Sequence, residues 1–302
     1  MYENLFAEKG FSLDRLKSLV EIAEAGSISK AVSADATRQS LYSRQVKELE
    51  EFFGTKLTRK KGKVLILSSA GEKLVQIAKE YFSSLDEFRT NCKNTPRRYC
   101  IGAGDSIHYW INMPLIAKAS IENPNCLFSL KNLRNNEVLQ ELYDMNIDFG
   151  ILRTNLIDND LLESKRLARV KFAIYVPKIL LGKKKNVDYK YCLENIPCAS
   201  LAFSSTFFSM LKRATKDNDI DFKLAIETQS FPFALELLKT KAYAAILPNI
   251  AEKSLPSSIV KIEAPFLKML ERDISLAWNP RTLLLRPRLK NLINFWSKNY
   301  SK

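Results

Sequence analysis

The sequence predicts a small, mainly helical N-terminal domain followed by a larger domain of the α/β class. Over residues 11–90, apolar side chains recur at three- and four-residue steps, which is the period of an amphipathic helix. From Arg98 onward, short β-prone runs alternate with helical segments, which is typical of an α/β fold. The 302 residues suffice for two or three domains, which we place at 11–68, 69–96 and 97–302.

The composition limits the class of partner and the compartment. The chain has 47 Lys and Arg against 33 Asp and Glu, and the net charge of +14 favours a polyanionic partner such as nucleic acid. It contains neither a run of about 18 apolar residues nor a basic and apolar leader pattern, so we expect no membrane span and no secretory signal. The five cysteines are dispersed without CxxC spacing, which favours a reducing cytoplasm.

Residues 11–54 predict two helices around a tight turn, with a supporting helix before them. The supporting helix covers residues 11–26 and a short helix covers 29–34. The next helix begins near Thr37, which we expect to cap it, and ends at Gly54. Its apolar stripe has the spacing i, i+4, i+7, i+11 and consists of Tyr42, Val46, Leu49 and Phe53.

The rest of that helix surface is polar and basic. Its polar side chains are Arg38 and Gln39 at the start, then Ser40, Ser43, Arg44 and Lys47 opposite the stripe. Such donors read base edges and phosphates in a DNA major groove, where Arg pairs with guanine and Gln with adenine. The pattern therefore predicts a helix-turn-helix that binds double-stranded DNA. We assign Tyr42 to the core because it belongs to the apolar stripe.

A basic cluster follows this helix. Arg59, Lys60, Lys61 and Lys63 surround Gly62 and precede the β-prone run Val64–Leu67. An isolated cluster of this kind is most often a solvated charge run. Directly after a helix-turn-helix, it predicts a β-hairpin wing that reaches phosphates or the minor groove.

Residues 69–90 predict a long helix with a wide apolar face. Its apolar residues are Leu74, Ile77, Ala78, Tyr81, Phe82, Leu85 and Phe88. Such a face must be buried. A second copy would bury it in a two-fold dimer, and packing within the chain is the alternative. Pro96 in the polar stretch that follows indicates a hinge.

The α/β region contains nine strand candidates and five helix candidates. The strands are predicted at 99–103, 126–130, 147–152, 171–176, 198–203, 222–227, 242–247, 259–262 and 274–278, and the helices near 108–121, 135–145, 206–216, 231–240 and 287–299. Their alternation favours mainly parallel sheets.

Enzymatic chemistry is not expected. His108 is the single histidine, which excludes Ser-His-Asp, Cys-His and multi-histidine metal arrangements within one chain. Neither GxGxxG nor GxxxxGK[ST] occurs. We therefore expect no catalytic residues, no metal site and no cofactor, and we take His108 as structural.

The N-terminal pattern resembles that of the LysR-type transcriptional regulators. The matching elements, in register and without a gap, are Gly26-Ser27, Ala31, Gln39, Ser43-Arg44-Gln45-Val46, Leu49-Glu50, Gly54, Leu57, Lys60, Gly62, Leu67-Ser68 and Ala70-Gly71. Weaker likenesses follow at Tyr99–Ala103, Asn123-Pro124, Ile147–Ile151 and Ala244–Pro248. The resemblance implies a winged helix-turn-helix, a linker helix, and a two-lobed domain like a periplasmic binding protein.

The resemblance also implies functional residues and partners. Base edges would be read by Gln39, Ser40, Ser43 and Arg44, and the backbone or minor groove by Lys60 and Lys63, with Arg38 and Lys47 adding charge. Lobe I would comprise residues 97–165 and 270–302, and lobe II residues 166–269. A small-molecule effector in the cleft between them would contact Ser106, Ser204, Ser205, Thr206 and Thr228. The expected assembly is a homodimer or homotetramer, with RNA polymerase as a further partner.

Several positions depart from the family pattern. Asp35 stands where the family buries Leu, and Ser40 replaces a common Pro. Lys241 and Tyr243 replace a Gly-x-Gly, and their bulk is expected to narrow the cleft. Asp105 near the cleft mouth argues against a carboxylate effector.

Three alternatives stay open. Cys192 and Cys198 are six residues apart and could form a redox-responsive pair. The regulator could instead act without a ligand. A plain solute-binding module is the remote alternative, since it would not need residues 11–71.

Overall fold

The structure is a computed structural model, which describes residues 5, 9–32, 35–61, 64–93, 95–184, 187–202 and 205–300. The chain divides near residue 95 into two compact units. The first contains three helices, a β-hairpin and a long fourth helix, and the second contains two five-stranded sheets.

Three helices form the start of the first unit. They are α1 (Leu13–Ala25), α2 (Ile28–Ala31) and α3 (Ala36–Phe53). Ser12 and Ser27 cap α1 and α2 through their hydroxyl groups, and α1 and α3 end at Gly26 and Gly54 in the left-handed conformation. The turn between α2 and α3 includes residues 33–34, which lie outside the described part of the chain, as does the predicted end of α2.

Asp35 caps α3, so the predicted cap at Thr37 is wrong. Oδ1 of Asp35 accepts the N–H groups of Thr37 and Arg38 at 2.9 and 3.1 Å. Asp35 is exposed, and no side chain has to be buried at this position. A carboxylate also suits the positive end of the helix dipole. The polar residue at the turn therefore starts the helix instead of disturbing the core.

The hairpin and α4 complete the first unit. Strands β1 (Thr58–Lys61) and β2 (Val64–Leu67) pair antiparallel, as expected for the predicted hairpin wing. Residues 62–63, at the tip of the hairpin, lie outside the described part of the chain. Helix α4 covers Ser69–Lys93. At Gly71 a Cβ atom would lie 2.1 Å from the carbonyl oxygen of Leu57, so only glycine allows α4 to begin this close to the hairpin.

The apolar residues of α4 separate into two groups. Val75 and Ala78 are buried in a core with α1 and α3, and Leu74 and Phe82 pack against it. A second stripe on the same helix stays exposed; it consists of Ile77, Tyr81, Leu85 and Phe88, and we call it the α4 stripe. Packing within the chain thus explains only half of the predicted apolar face.

The strands of the first sheet of the second unit are β3 (Arg97–Ala103), β4 (Cys126–Asn132), β5 (Phe149–Arg153), β6 (Glu163–Val170) and β12 (Arg272–Trp278). Their order in the sheet is β4-β3-β5-β12-β6. The strands of the second sheet are β7 (Phe172–Pro177), β8 (Cys198–Leu201), β9 (Leu224–Thr228), β10 (Ala244–Pro248) and β11 (Ile259–Ile262). Their order is β11-β7-β10-β8-β9. The chain passes from one sheet to the other between β6 and β7, and returns between β11 and β12.

Helices cover both sheets. They are α5 (Asp105–Ile107), α6 (Met113–Glu122), α7 (Asn135–Tyr143), α8 (Lys178–Leu181), α9 (Tyr189–Asn195), α10 (Thr206–Asp217), α11 (Phe231–Lys239), α12 (Pro280–Leu285) and α13 (Leu289–Tyr300). A π-helical turn, His108–Asn112, joins α5 to α6. One hydrophobic core runs through both lobes, with Trp296 of α13 fully buried against Phe128 and Phe149.

The sheets correct two expectations. Each is mixed, because β12 pairs antiparallel with β5 and β6, and β7 pairs antiparallel with β10 and β11. The mainly parallel sheets that we predicted are therefore wrong. Strand β6 was not predicted at all, since this edge strand is mostly exposed and polar. The predicted lobe boundary at 165/166 falls inside it.

Candidate nucleic-acid interface and ligand cleft

Helix α3 presents a polar face over a buried stripe. Tyr42, Val46 and Leu49 are buried as predicted, but Phe53, the last member of the predicted stripe, is exposed at the end of the helix. The predicted DNA-contacting residues of α3 are all exposed: Arg38, Gln39, Ser40, Ser43, Arg44 and Lys47. Arg38 and Gln39 lie in the first turn, where the core no longer covers the helix. The remaining four share the face opposite the stripe. The structure thus places all six on accessible surface.

Arg44 is oriented by an acidic neighbour on the same helix. Its Nε donates to Oε1 of Glu48 at 2.9 Å, although the Arg44 side chain is 78% exposed. Oε2 of Glu48 accepts Nε of Arg15 at 2.5 Å. The hydrogen bonds from Arg44 and Arg15 lower the pKa of Glu48, which keeps it charged at neutral pH. Glu48 therefore links α1 to α3 and restricts the rotamers of Arg44.

Tyr42 lies in the core, as predicted, and its hydroxyl has a structural partner. The hydroxyl donates to Oε2 of Glu21 on α1. This bond and burial raise the pKa of Tyr42. The bond fixes α3 against α1, and the phenol is not available to DNA.

Glu50 holds the wing. Its Oε1 accepts the N–H of Leu57 at 3.0 Å, the N–H of Thr58 at 3.1 Å and the hydroxyl of Thr58 at 3.0 Å, while Oε2 accepts Nζ of Lys56 at 2.7 Å. Burial alone raises the pKa of Glu50, but the hydrogen bonds from Lys56, Thr58 and Leu57 outweigh it and lower the pKa. The exposed Arg59 and Lys60 follow on β1. Lys63, the other predicted wing contact, lies outside the described residues.

The second unit contains a cleft of about 1260 Å³ between its lobes. Four of the five residues predicted to contact an effector line it: Ser106, Ser205, Thr206 and Thr228. The fifth, Ser204, lies outside the described residues. They meet because strands β3, β8 and β9 end at this side of the two sheets, as the ligand rule for open α/β sheets requires.

Most of these hydroxyl groups also have structural partners. Ser205 caps α10 by accepting the N–H of Phe208 at 3.0 Å. The Thr228 hydroxyl donates to the carbonyl oxygens of Ser200 and Ser230 at 3.3 and 3.0 Å. The Ser106 hydroxyl lies 3.3 Å from Oδ1 of Asp105. Capping and other hydrogen bonds within the chain thus involve three of the four hydroxyl groups, and their contact with an effector stays a prediction.

Two arginines and two aromatic rings in the cleft were not predicted from the sequence. Arg153 and Arg272 line it together with Phe207 and Phe231. Arg153 ends a buried strand and Arg272 begins one. In the sequence, a basic residue at the end of an apolar run is the pattern that would have predicted these two cleft residues. Lys241 and Tyr243 are not among the described lining residues, so they do not narrow the cleft as expected. Lys241 has a φ of 66°, which explains why glycine suits this position.

His108 is structural, as expected. Nε1 of Trp296 donates to Oδ1 of Asn112 at 2.9 Å, so the amide nitrogen of Asn112 donates to Nδ1 of His108 at 3.0 Å. Nε2 of His108 then donates to the carbonyl oxygen of Lys131 at 2.9 Å. This chain requires a neutral imidazole, and burial lowers the pKa of His108 accordingly.

The cysteine pair considered for redox sensing is buried. Burial raises the pKa of Cys192 to about 11 and that of Cys198 to about 12. Both thiols therefore stay protonated at neutral pH, which makes them poor nucleophiles toward peroxide or disulfides. Among the described residues, no cluster of three or more His, Cys, Asp or Glu side chains could hold a metal ion. No helix in the described ranges has the length and apolar character needed to cross a membrane.

Comparison with known proteins decides the family. Residues 13–72 match the model of the bacterial regulatory helix-turn-helix proteins of the lysR family, and residues 94–300 match that of the LysR substrate binding domain. The chain belongs to the LysR family. The family and the fold class predicted from the sequence are thereby confirmed.

Individual LysR relatives are distant. The chain is 28% identical over 149 residues to an uncharacterized HTH-type transcriptional regulator, YfeR, of Shigella flexneri, a match that covers 47% of each protein. A full-length OxyR variant from Pseudomonas aeruginosa has a similar fold, with a TM-score of 0.62, 18% identity, and coverage of 96% of this chain and 94% of that one. CbnR complexed with its target DNA gives a TM-score of 0.55 at 18% identity, covering 96% of this chain and 100% of that one. The chain spans about half the length of the curated relatives that it matches.

Proposed function

We propose that this protein is a LysR-type transcriptional regulator that binds double-stranded DNA and responds to a small molecule held in the cleft. The observation that supports this most directly is the exposed polar face of α3 beside a basic hairpin. Helix α1 holds that face in place because its Arg15 donates to Glu48 of α3 and its Glu21 accepts the hydroxyl of Tyr42. Glu50 of α3 holds the hairpin. A preorganised donor surface of this kind is what groove recognition requires.

Each polar residue of this surface has an expected role. Gln39 and Arg44, with Ser40 and Ser43, read base edges. Arg38, Lys47, Lys60 and Lys63 contact phosphates and increase affinity without selecting a sequence. A family member, CbnR, has been solved with its target DNA.

The test compares Arg44→Ala with Arg213→Ala. Arg213 is equally exposed, at 78%, and forms the same kind of i,i+4 ion pair, with Asp217. The unmodified protein first selects its preferred DNA from a random pool. The affinity of each variant for this DNA is then measured by titration, and its contacts are mapped by footprinting. Arg44→Ala is expected to reduce discrimination at one base position by about 1–3 kcal/mol. Lys60→Ala is expected to weaken binding to all sequences and to lower the salt slope by about one.

Arg213→Ala should bind like the unmodified protein. If Arg44→Ala, Gln39→Ala and Lys60→Ala all retained full affinity and sequence preference, α3 and the wing would not be the DNA-binding surface.

The α4 stripe supports a homodimer or homotetramer. Phe88 is 69% exposed, and Ile77, Tyr81 and Leu85 extend the apolar surface along the helix. Burying it against the same stripe of a second copy gives a two-fold arrangement, which suits a DNA site with two half-sites. Sedimentation equilibrium of Phe88→Asp should show a shift toward monomer. Ile179→Asp, which changes an exposed residue of α8, serves as the control.

The remaining expectations follow from this role. A regulator that reads double-stranded DNA acts where the chromosome is, which is the cytoplasm in bacteria. Contact with RNA polymerase and the absence of enzymatic activity stay predictions. The buried, protonated cysteines favour a ligand over oxidation as the signal, and peroxide treatment followed by mass spectrometry tests this.

A further inference from the structure

Arg153 and Arg272 face the same side of the first sheet. In the antiparallel pair of β5 and β12, Arg153 lies opposite Ile274. Arg272 is two residues before Ile274, and residues two apart on a strand point to the same face. The two arginines are therefore diagonal cross-strand neighbours, within reach of each other through their long side chains.

Neither guanidinium forms an ion pair within the part of the chain that the structure describes. The nearest acidic residues in sequence, Glu271 and Asp273, are occupied by other arginines. Nε of Arg169 lies 2.7 Å from Glu271, and a terminal nitrogen of Arg166 lies 2.7 Å from Asp273. Both Arg166 and Arg169 belong to β6, so the acidic side chains are directed to the neighbouring strand.

Two cations in a partly buried place repel each other. Burial and the charge of Arg153 lower the pKa of Arg272 to about 10, and burial lowers the pKa of Arg153. Both groups still hold their protons at neutral pH. Desolvated cations are costly without a counter-charge, and the two carboxylates that line the adjoining cavity, Glu271 and Asp273, are already paired with Arg169 and Arg166.

The pair lies where two cavities meet. Arg153, Arg272 and Phe207 line both the cleft of about 1260 Å³ and an adjoining cavity of about 380 Å³. Cζ of Arg272 lies 4.9 Å from the ring centre of Phe172 and 5.9 Å from that of Phe207. Phe207 and Phe231 pack edge to face at 5.0 Å and also line the cleft. Positive charge and apolar surface thus occur side by side.

We infer that Arg153 and Arg272 form an anion-binding site in the effector cleft. The ligand is a small organic anion whose carboxylate, phosphate or sulfate group lies between the two guanidinium groups, with its apolar part on Phe207 and Phe231. Arginine suits such a head group because its planar donors match the oxygens in pairs. Asp105 also lines the cleft, where its Oδ1 accepts the N–H of Ser106 at 2.7 Å, and its single negative charge faces a cleft that holds both arginines. The inference rests on the proposed function in taking the cleft as the effector site.

The experiment uses the full chain without DNA and four probes at constant ionic strength. Phenylacetate and phenyl phosphate carry a charged head group on a ring, phenylacetamide is the uncharged counterpart, and inorganic phosphate is the head group alone. Binding is measured by calorimetry and by the shift in melting temperature, with chloride as the reference. The variants are Arg153→Gln, Arg272→Gln and Arg272→Lys, with Arg213→Gln as the control.

At least one anion on a ring is expected to bind ten-fold or more tightly than phenylacetamide. The comparison of phenylacetate, phenyl phosphate and inorganic phosphate identifies the head group. Arg153→Gln and Arg272→Gln should each weaken that binding ten-fold or more, and Arg272→Lys should be intermediate because it keeps the charge but not the paired donors. The ligand-free melting temperature of Arg272→Gln should not fall, since one of two repelling cations is gone.

The proposal is overturned if none of the anions stabilises the protein relative to chloride, if phenylacetamide binds equally well, or if the Gln variants bind like the control. These results do not depend on DNA. A chain that bound phenylacetate through Arg272 but no DNA would contradict the proposed function and leave the anion site intact.

Discussion

Replacing Glu50 by alanine is expected to release the wing from α3. The Glu50 side chain is 8% exposed and its Oε1 accepts three hydrogen bonds from Leu57 and Thr58, at the base of the hairpin. Leu57 itself is 1% exposed, so its N–H has little access to water once the acceptor is removed. The other carboxylate oxygen binds Lys56, whose side chain is largely exposed, and this contact adds little.

The magnitude follows from the donors left without an acceptor. An unsatisfied buried donor costs about 1–3 kcal/mol, and two backbone N–H groups lose their acceptor in Glu50→Ala. Two such donors give about 2–6 kcal/mol, and because water can enter beside the partly exposed Thr58, we expect a loss in the lower part of this sum, about 2–4 kcal/mol. Glu50→Gln keeps the amide oxygen as acceptor and should lose much less.

Hydrogen exchange followed by mass spectrometry measures this loss directly on the full chain. If the wing amides exchange through local opening, 2–4 kcal/mol corresponds to an increase of about 30- to 1,000-fold in the rates over residues 56–68. Glu51→Ala is the control because Glu51 is the exposed neighbour on the same helix. Equal exchange in Glu50→Ala and Glu51→Ala would refute the reasoning.

The pH dependence gives a second check on Glu50. Its pKa is lowered in the folded protein, so its contribution is complete above the ordinary value of 4.5 and is lost as the pH falls through the lowered pKa. Wing protection should therefore decline in acid in the unmodified protein. Glu50→Gln should show no such decline.

Three further predictions concern other positions. Gly71→Ala should destabilise the first unit by about 1–3 kcal/mol, because its Cβ would lie 2.1 Å from the oxygen of Leu57; hydrogen exchange of α1 measures this. Lys241→Gly should stabilise the second unit by about 0.5–1 kcal/mol by relieving a φ of 66°, measured by urea unfolding with tryptophan fluorescence. Burial lowers the pKa of His108, so the free energy of unfolding should fall as the pH drops below 6.5 and continue to fall to the folded pKa, where Asn112 must release a protonated ring. His108→Gln should remove that part of the pH dependence, and an unchanged profile would contradict the assignment.

The local periodicity of apolar residues predicted the helices of the first unit. The stripe of Tyr42, Val46 and Leu49 predicted which face of α3 is buried, since a helix that supports a small core must direct every third or fourth residue inward. The hairpin followed from a β-prone run after a basic turn. Asp35 could not be interpreted in the same way. The sequence marked this position as unusual, but only the backbone geometry shows that the Asp35 carboxylate caps α3.

In the second unit, the alternating pattern located most strands, and the resemblance to the LysR family pointed to four residues that line the cleft, which lie near strand ends on one side of the two sheets. It did not reveal β6, whose polar edge position leaves no apolar signal.

The sequence by itself thus determined the α3 face, through local periodicity, and the family, through motifs in fixed register, and the family resemblance in turn implied the cleft. Only the tertiary structure decided which charges are paired. Arg166 of β6 forms an ion pair with Asp273, and Arg169 of β6 forms one with Glu271. Arg153 and Arg272 line the cleft instead. Whether a cation is neutralised depends on the register of the strands, and that register is set by side chains that are distant in sequence.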